Sequence, residues 1–159
     1  MQDNKIPVTP QGYVKMKEDL RVLKAVERPA IVKEIEEARA QGDLSENAEY
    51  QYAKEKQGLI EARIRDLEAK FSMANVVDVT KLKGSKVVFG ATVTLMDLDT
   101  DEEITYRIVG DYESDIENNL IAFSAPLARG LIGKEVGDEV KIKTPGGMRE
   151  VEILKVEYI

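Results

Sequence analysis

Hydrophobic positions repeat at two different periods along this chain, and the change of period divides it. From about Pro10 to Ala40 the apolar residues Met16, Leu20, Leu23, Ile31, Ile35 and Ala38 recur on a helical period, and no glycine follows Gly12, so the segment is predicted to be an amphipathic helix. Pro29 inside it removes a backbone donor and predicts a bend close to Arg28. A second segment, Ala53, Gln57, Ile60, Ile64, Leu67, Phe71 and Ala74, keeps the alternating four- and three-residue steps of a coiled-coil seam. Only Gln41-Gly42-Asp43-Leu44-Ser45 separates the two, with Gly42 suited to a left-handed helix C-cap. A connection this short makes the helices antiparallel neighbours. At 1.5 Å per residue, helices of roughly 30 residues carry the turn about 45 Å from its base.

After Lys81–Ser85 the period falls to two. Val93 and Leu95, then Ile104, Tyr106 and Ile108, then Val140 and Ile142, then Val151 and Ile153 read as half-buried strands. Residues 97–103 form a solvated turn, and Thr144-Pro145-Gly146-Gly147 is a tight-turn signal. Residues 124–134 read as a short helix entered through Pro126. The expected fold is α+β, with an N-terminal antiparallel α-helical coiled-coil hairpin over residues 1–79. Residues 80–159 then form a mainly antiparallel β-sheet domain with a short helix.

Composition narrows the chemistry. Among 159 residues there is no histidine and no cysteine, which excludes thiol nucleophiles, imidazole bases, zinc fingers and iron–sulfur clusters. Thirty acids against twenty-three bases give a net charge of −7, unsuited to holding bare nucleic acid by counterion release alone. No stretch approaches 18 apolar residues and the N-terminus has no apolar signal-peptide core, so a cytoplasmic protein with no membrane partner is expected.

What remains is carboxylate chemistry, and the interhelical turn concentrates it. Gly42-Asp43-Leu44-Ser45-Glu46-Asn47-Ala48-Glu49-Tyr50 places three acids at the start of a helix. Asp43 and Glu46 fit a capping box, and acids in a first turn suit the helix dipole. The same two carboxylates are also hard oxygen ligands for Mg²⁺. Two are too few to hold that ion tightly, so the rest of such a site would lie on another molecule. A third reading makes the hairpin a structural adaptor whose tip acids serve only as caps.

Residues 42–50, with Arg39 before them and residues 51–58 after, resemble the GreA/GreB family of bacterial transcript cleavage factors. Residues 75–80, 88–95, 106–111, 128–134 and 143–147 resemble it too, so the likeness runs through nearly the whole chain. It implies a factor that enters the secondary channel of bacterial RNA polymerase when the enzyme has backtracked and extruded its RNA 3′ end. Asp43 and Glu46 would then be the catalytic pair, helping to hold the polymerase's second Mg²⁺ and position water. Ser45, Asn47 and Tyr50 would support the tip, while Arg39, Lys54 and Lys56 would contact RNA. The resemblance further implies a second domain like that of FK506-binding proteins, docking on the polymerase through Ser124, Ala125 and Pro126; Pro126 equally suits a plain helix start. The protein would not be an enzyme by itself, and a monomer is the simplest form in which to insert one arm.

Overall fold

The computed structural model describes residues 5–42 and 47–159. Contacts divide the chain into two compact units, Val14–Met73 on one hand and the residues up to Tyr13 with Ala74–Ile159 on the other. The sequence pattern draws its boundary at residue 79 instead, and the difference comes from a pairing that no periodicity announces. Strand β1 (Ile6–Val8) lies parallel to β2 (Ala74–Val76), which binds the chain's beginning to the residues just after the hairpin.

The helical unit is built from α1 (Pro10–Val22), a π-helical turn (Leu23–Glu27), α2 (Arg28–Arg39) and α3 (Ala48–Met73). Buried Met16, Leu23, Ile31, Ile35 and Ala38 supply one seam, and Ala53, Ile60, Ile64 and Leu67 the other. Where a bend was expected at Pro29, the structure has a widened turn ahead of it, closed by the Arg28 N–H on the Leu23 carbonyl. The spacing explains this. A strict heptad continuing from Met16, Leu20 and Leu23 would place its next apolar positions one residue before Ile31, Ile35 and Ala38. The π turn absorbs that extra residue and keeps all of them on one face, while Pro29 sits in the first turn of α2, where a missing N–H is tolerated. Arg28 donates two hydrogen bonds to Glu61 (2.8 and 3.0 Å), and Lys24–Glu68 and Lys56–Glu34 pairs also link the seams. These pairs are exposed, so the apolar seam carries the association.

The second unit is a five-stranded sheet in the order β5-β4-β3-β7-β6, formed by β3 (Thr92–Asp97), β4 (Glu103–Val109), β5 (Leu120–Ala122), β6 (Glu139–Thr144) and β7 (Gly147–Glu157). Three ladders are antiparallel, as expected, and the edge pair β4/β5 is parallel. Both turn signals form: residues 98–102 join β3 to β4, and Thr144 pairs with Gly147 around Pro145-Gly146. Helix α4 (Pro126–Leu131) buries Leu127, Ala128 and Leu131 in a core with Val93, Leu95, Ile108, Ile142, Val151 and Ile153. A bulge lies in the β3/β7 ladder, where Leu95 pairs with Ile153 but Thr94 with Lys155. It switches the inward parity of β7 from Val151 and Ile153 to Val156 and Tyr158, so all four reach the core. None of the described helices is long and apolar enough to cross a membrane.

Candidate functional site

At the end of α2 the Ala40 N–H donates to the Glu36 and Ala38 carbonyls, and Gly42 takes φ = 117°, a left-handed value that a side chain would strain. Asp43, Ser45 and Glu46 lie outside the described residues. The chain re-enters at Asn47, and α3 begins with Ala48. Asn47, not an acid of the Asp43/Glu46 pair, is therefore the residue at the N-cap of α3: its Oδ1 accepts from the Tyr50 N–H at 3.1 Å. Its Nδ2 donates to the Ala38 carbonyl at 2.6 Å, so one amide satisfies an orphan donor of α3 and a terminal carbonyl of α2. Asn47→Ala is expected to cost the hairpin about 1 kcal/mol, within a range of about 0.5–2, in urea unfolding. Asn47→Asp, which keeps the acceptor and loses the donor, should fall between Ala and wild type.

Helical spacing sorts the remaining tip residues onto two flanks. Tyr50 and Lys54 fall on the same side of α3 as Glu61, and Arg39 on the side of α2 that carries its partner Arg28. Lys54 donates to Gln57 along this flank (3.1 Å). Lys56 is on the opposite flank, 3.5 Å from Glu34. Near it an open cleft of about 410 Å³ is lined by Glu34, Glu37, Glu49 and Tyr52 over Ala38 and Ala53. Of the three bases expected at RNA, the structure thus groups Arg39 and Lys54 with Tyr50 and sets Lys56 among acids.

The loop before α4 is held from outside itself. Ser124 donates through its N–H to Asp111 Oδ1 (3.2 Å) and through its hydroxyl to Asp111 Oδ2 (2.7 Å). Ala125 is the N-cap residue of α4, extended and without a side-chain cap, and Pro126 follows at the first helical position. Pro126 does start the helix, and with Ala125 it also borders an apolar cleft of about 490 Å³ whose other walls include Ile116, Leu120 and Pro145. Ile116 is 54% exposed. Sequence reasoning missed Asp111 and Ile116. Asp111 stood in a recognised segment without a role, and nothing local to Ile116 shows that a turn 10 residues away in sequence will wall the same cleft.

Hydrogen bonds and burial shift a few titratable groups among the described residues. The hydrogen bond from Arg28 holds the Glu61 carboxyl below the usual range, and the Thr80 hydroxyl does the same for Asp78. Burial raises the Tyr106 and Tyr158 hydroxyls further from neutrality. A carboxylate whose folded pKa is depressed contributes stability that is present above its unfolded pKa and lost as pH falls through the folded one. With no histidine in the chain, the unfolding midpoint is expected to stay flat between about pH 6 and 8 and to fall below about pH 5. A thermal series across pH 4–8 checks both limbs.

Fold and site together define a two-unit α+β protein whose candidate site residues lie at a helical turn and in the loop before α4. Among the described residues, no group of three or more histidine, cysteine, aspartate or glutamate side chains could hold a metal ion. A family model for the N-terminal part of transcription elongation factors matches residues 6–76, and one for the C-terminal part of GreA/GreB transcription elongation factors matches residues 82–158. The chain is 55% identical over 155 residues to transcription elongation factor GreA of Caulobacter vibrioides, covering 98% of this chain and 99% of that one. It is 56% identical over 154 residues to GreA of Ruegeria pomeroyi, covering 97% and 98%. The solved structure of GreA factor homolog 1 of Thermus thermophilus aligns over 96% of this chain and 99% of that one, at 24% identity and a TM-score of 0.44. The chain belongs to the GreA/GreB family of transcription elongation factors.

Proposed function

We propose that this elongation factor binds bacterial RNA polymerase in the cytoplasm, as a monomer, and inserts its hairpin through the secondary channel. There it stimulates endonucleolytic cleavage of the extruded RNA 3′ end in backtracked complexes, so that elongation resumes. The supporting observation is at the tip. Asn47 stands at the N-cap of α3, so that position does not call on Asp43 or Glu46. As hard oxygen donors the two acids suit Mg²⁺, and two carboxylates are too few to hold that ion tightly, so the polymerase would supply the remaining ligands. A magnesium ion held there would stabilise charge developing at the phosphodiester and favour an activated water. The chain's own part is to supply Asp43 and Glu46, with Ser45 between them. Arg39, Tyr50 and Lys54 would line the approach of the RNA end from one flank. The protein has no turnover of its own in this reading.

Docking is assigned to the loop Ser124-Ala125-Pro126 and the apolar cleft beside it, whose exposed Ile116 can be covered by an aliphatic surface on the polymerase. A stalled, backtracked elongation complex tests the whole reading. Adding the protein with Mg²⁺ should release short 3′ RNA fragments, and the protein with RNA alone should release none. Ile116→Glu, which places a charge in the cleft, should raise the half-saturating concentration of factor at least about tenfold. An unchanged concentration would remove the cleft from the docking surface.

A further inference from the structure

The turn Asp111-Tyr112-Glu113 joins two features that the sequence keeps more than a hundred residues apart. At its first residue, Asp111 holds Ser124 of the docking loop by two hydrogen bonds. At its last, the Glu113 carboxylate reaches the start of α1. Oε2 accepts from the Thr9 N–H at 2.9 Å and from the Gly110 N–H at 3.1 Å, and Oε1 accepts from the Thr9 hydroxyl. Thr9 is 1% exposed, the one buried polar residue among those described. Its hydroxyl also accepts from the Gly12 N–H at 3.0 Å, which makes it the N-cap of α1.

In an ordinary capping box the acid that answers the N-cap N–H stands on the helix itself, three residues on. Here that position is Gly12, and a Cβ there would lie 2.3 Å from Glu113 Oε2. The space belongs to Glu113, which completes the box from 104 residues away. A buried donor left without its acceptor is costly, so the first turn of α1 is tied to this carboxylate.

We propose that the Asp111–Glu113 turn is a coupling element, in which Asp111 sets the polymerase-docking loop and Glu113 is a positioning residue that anchors the root of the hairpin's first helix. Docking energy then reaches the arm through one short, hydrogen-bonded segment. The inference rests on the transcript-cleavage reading and divides that activity in two. Loss of the Asp111 bonds weakens binding at constant delivery. Loss of the Glu113 bonds leaves binding intact and lowers the yield of each bound factor.

Cleavage rate measured against factor concentration on a backtracked complex separates the two. Asp111→Asn is expected to raise the half-saturating concentration about tenfold with the plateau rate kept, and Glu113→Gln to lower the plateau about tenfold with the half-saturating concentration within about twofold. Glu113→Gln should also speed hydrogen exchange at the Gly12 and Tyr13 amides. Thr9→Ser, which keeps the hydroxyl, should match wild type, and Glu117→Gln serves as a neighbouring-acid control. If Glu113→Gln does not fold, Thr9→Val, which removes the hydroxyl and leaves the side chain's bulk, carries the same expectation. Identical shifts in both variants, or a Glu113→Gln plateau equal to wild type, overturn the coupling while the cleavage function stands. A wild-type protein that releases no fragments overturns the function and the coupling together.

Discussion

Asp43→Asn and Glu46→Gln are each expected to cut stimulated RNA cleavage by at least about 10- to 100-fold, a loss seen even when groups one step removed from a metal are disturbed. Both changes keep size and hydrogen-bonding atoms and remove only the negative charge, which is what a magnesium ligand needs and a cap does not. The Asn47 cap makes the comparison clean. Because Asn47 holds the N-cap of α3 and both substitutions keep side-chain size and hydrogen-bonding atoms, hairpin stability should stay within about 0.5 kcal/mol of wild type. Two readouts on the same variants, fragment release from a backtracked complex and urea unfolding, distinguish the alternatives. If cleavage persists in both variants the acids have no catalytic role. If cleavage and stability fall together they act as structural groups, as in the adaptor reading.

Ile153→Ala is expected to have the largest effect on stability, about 2–5 kcal/mol in denaturant unfolding of the sheet unit. Ile153 is fully buried, pairs with Leu95 across β3 and β7, and sits at the edge of the bulge that turns Val156 and Tyr158 inward. Truncating it opens a cavity beside a distorted ladder, where relaxation would move backbone, so the site has little freedom to collapse. Since a domain's whole stability is about 5–15 kcal/mol, the loss should leave a substantial fraction unfolded under mild denaturant. Ile153→Val should cost only about 0.5–1.5 kcal/mol. Equal effects of the two substitutions would show that Ile153 does not set the packing of this core.

The acidic chain without histidine acquires a positive sense from the family. In the proposed reading, a protein that lends two carboxylates to another enzyme would need no imidazole or thiol of its own. Under that proposal its net charge of −7 fits delivery to RNA by the polymerase and not by charge.

What could be read from the chain alone was what depends on neighbours in sequence. Helical and strand periods depend on which residues lie three, four or two apart, so the hairpin seams, both β-turns and the Pro126 helix were legible without coordinates. The acids of the turn and the family motifs were equally local. The π turn was not read from the chain, where Pro29 predicted a bend; the one-residue slip between Leu23 and Ile31 could be absorbed by a kink, a loop or a bulge, and only packing of both seams selects the last.

Tertiary structure decided the rest, because those features are bonds between residues far apart in sequence. The parallel β1/β2 and β4/β5 pairs carry no signature in a single strand's pattern. The amide of Asn47 finds the Ala38 carbonyl only when the hairpin closes, and this moves the cap from the acids to Asn47. Nothing in the sequence around Gly12 announces that Glu113 will fill the space beside it. Local periodicity determined the elements and the chemistry they carry, while long-range hydrogen bonding and packing determined which of the described groups hold the structure.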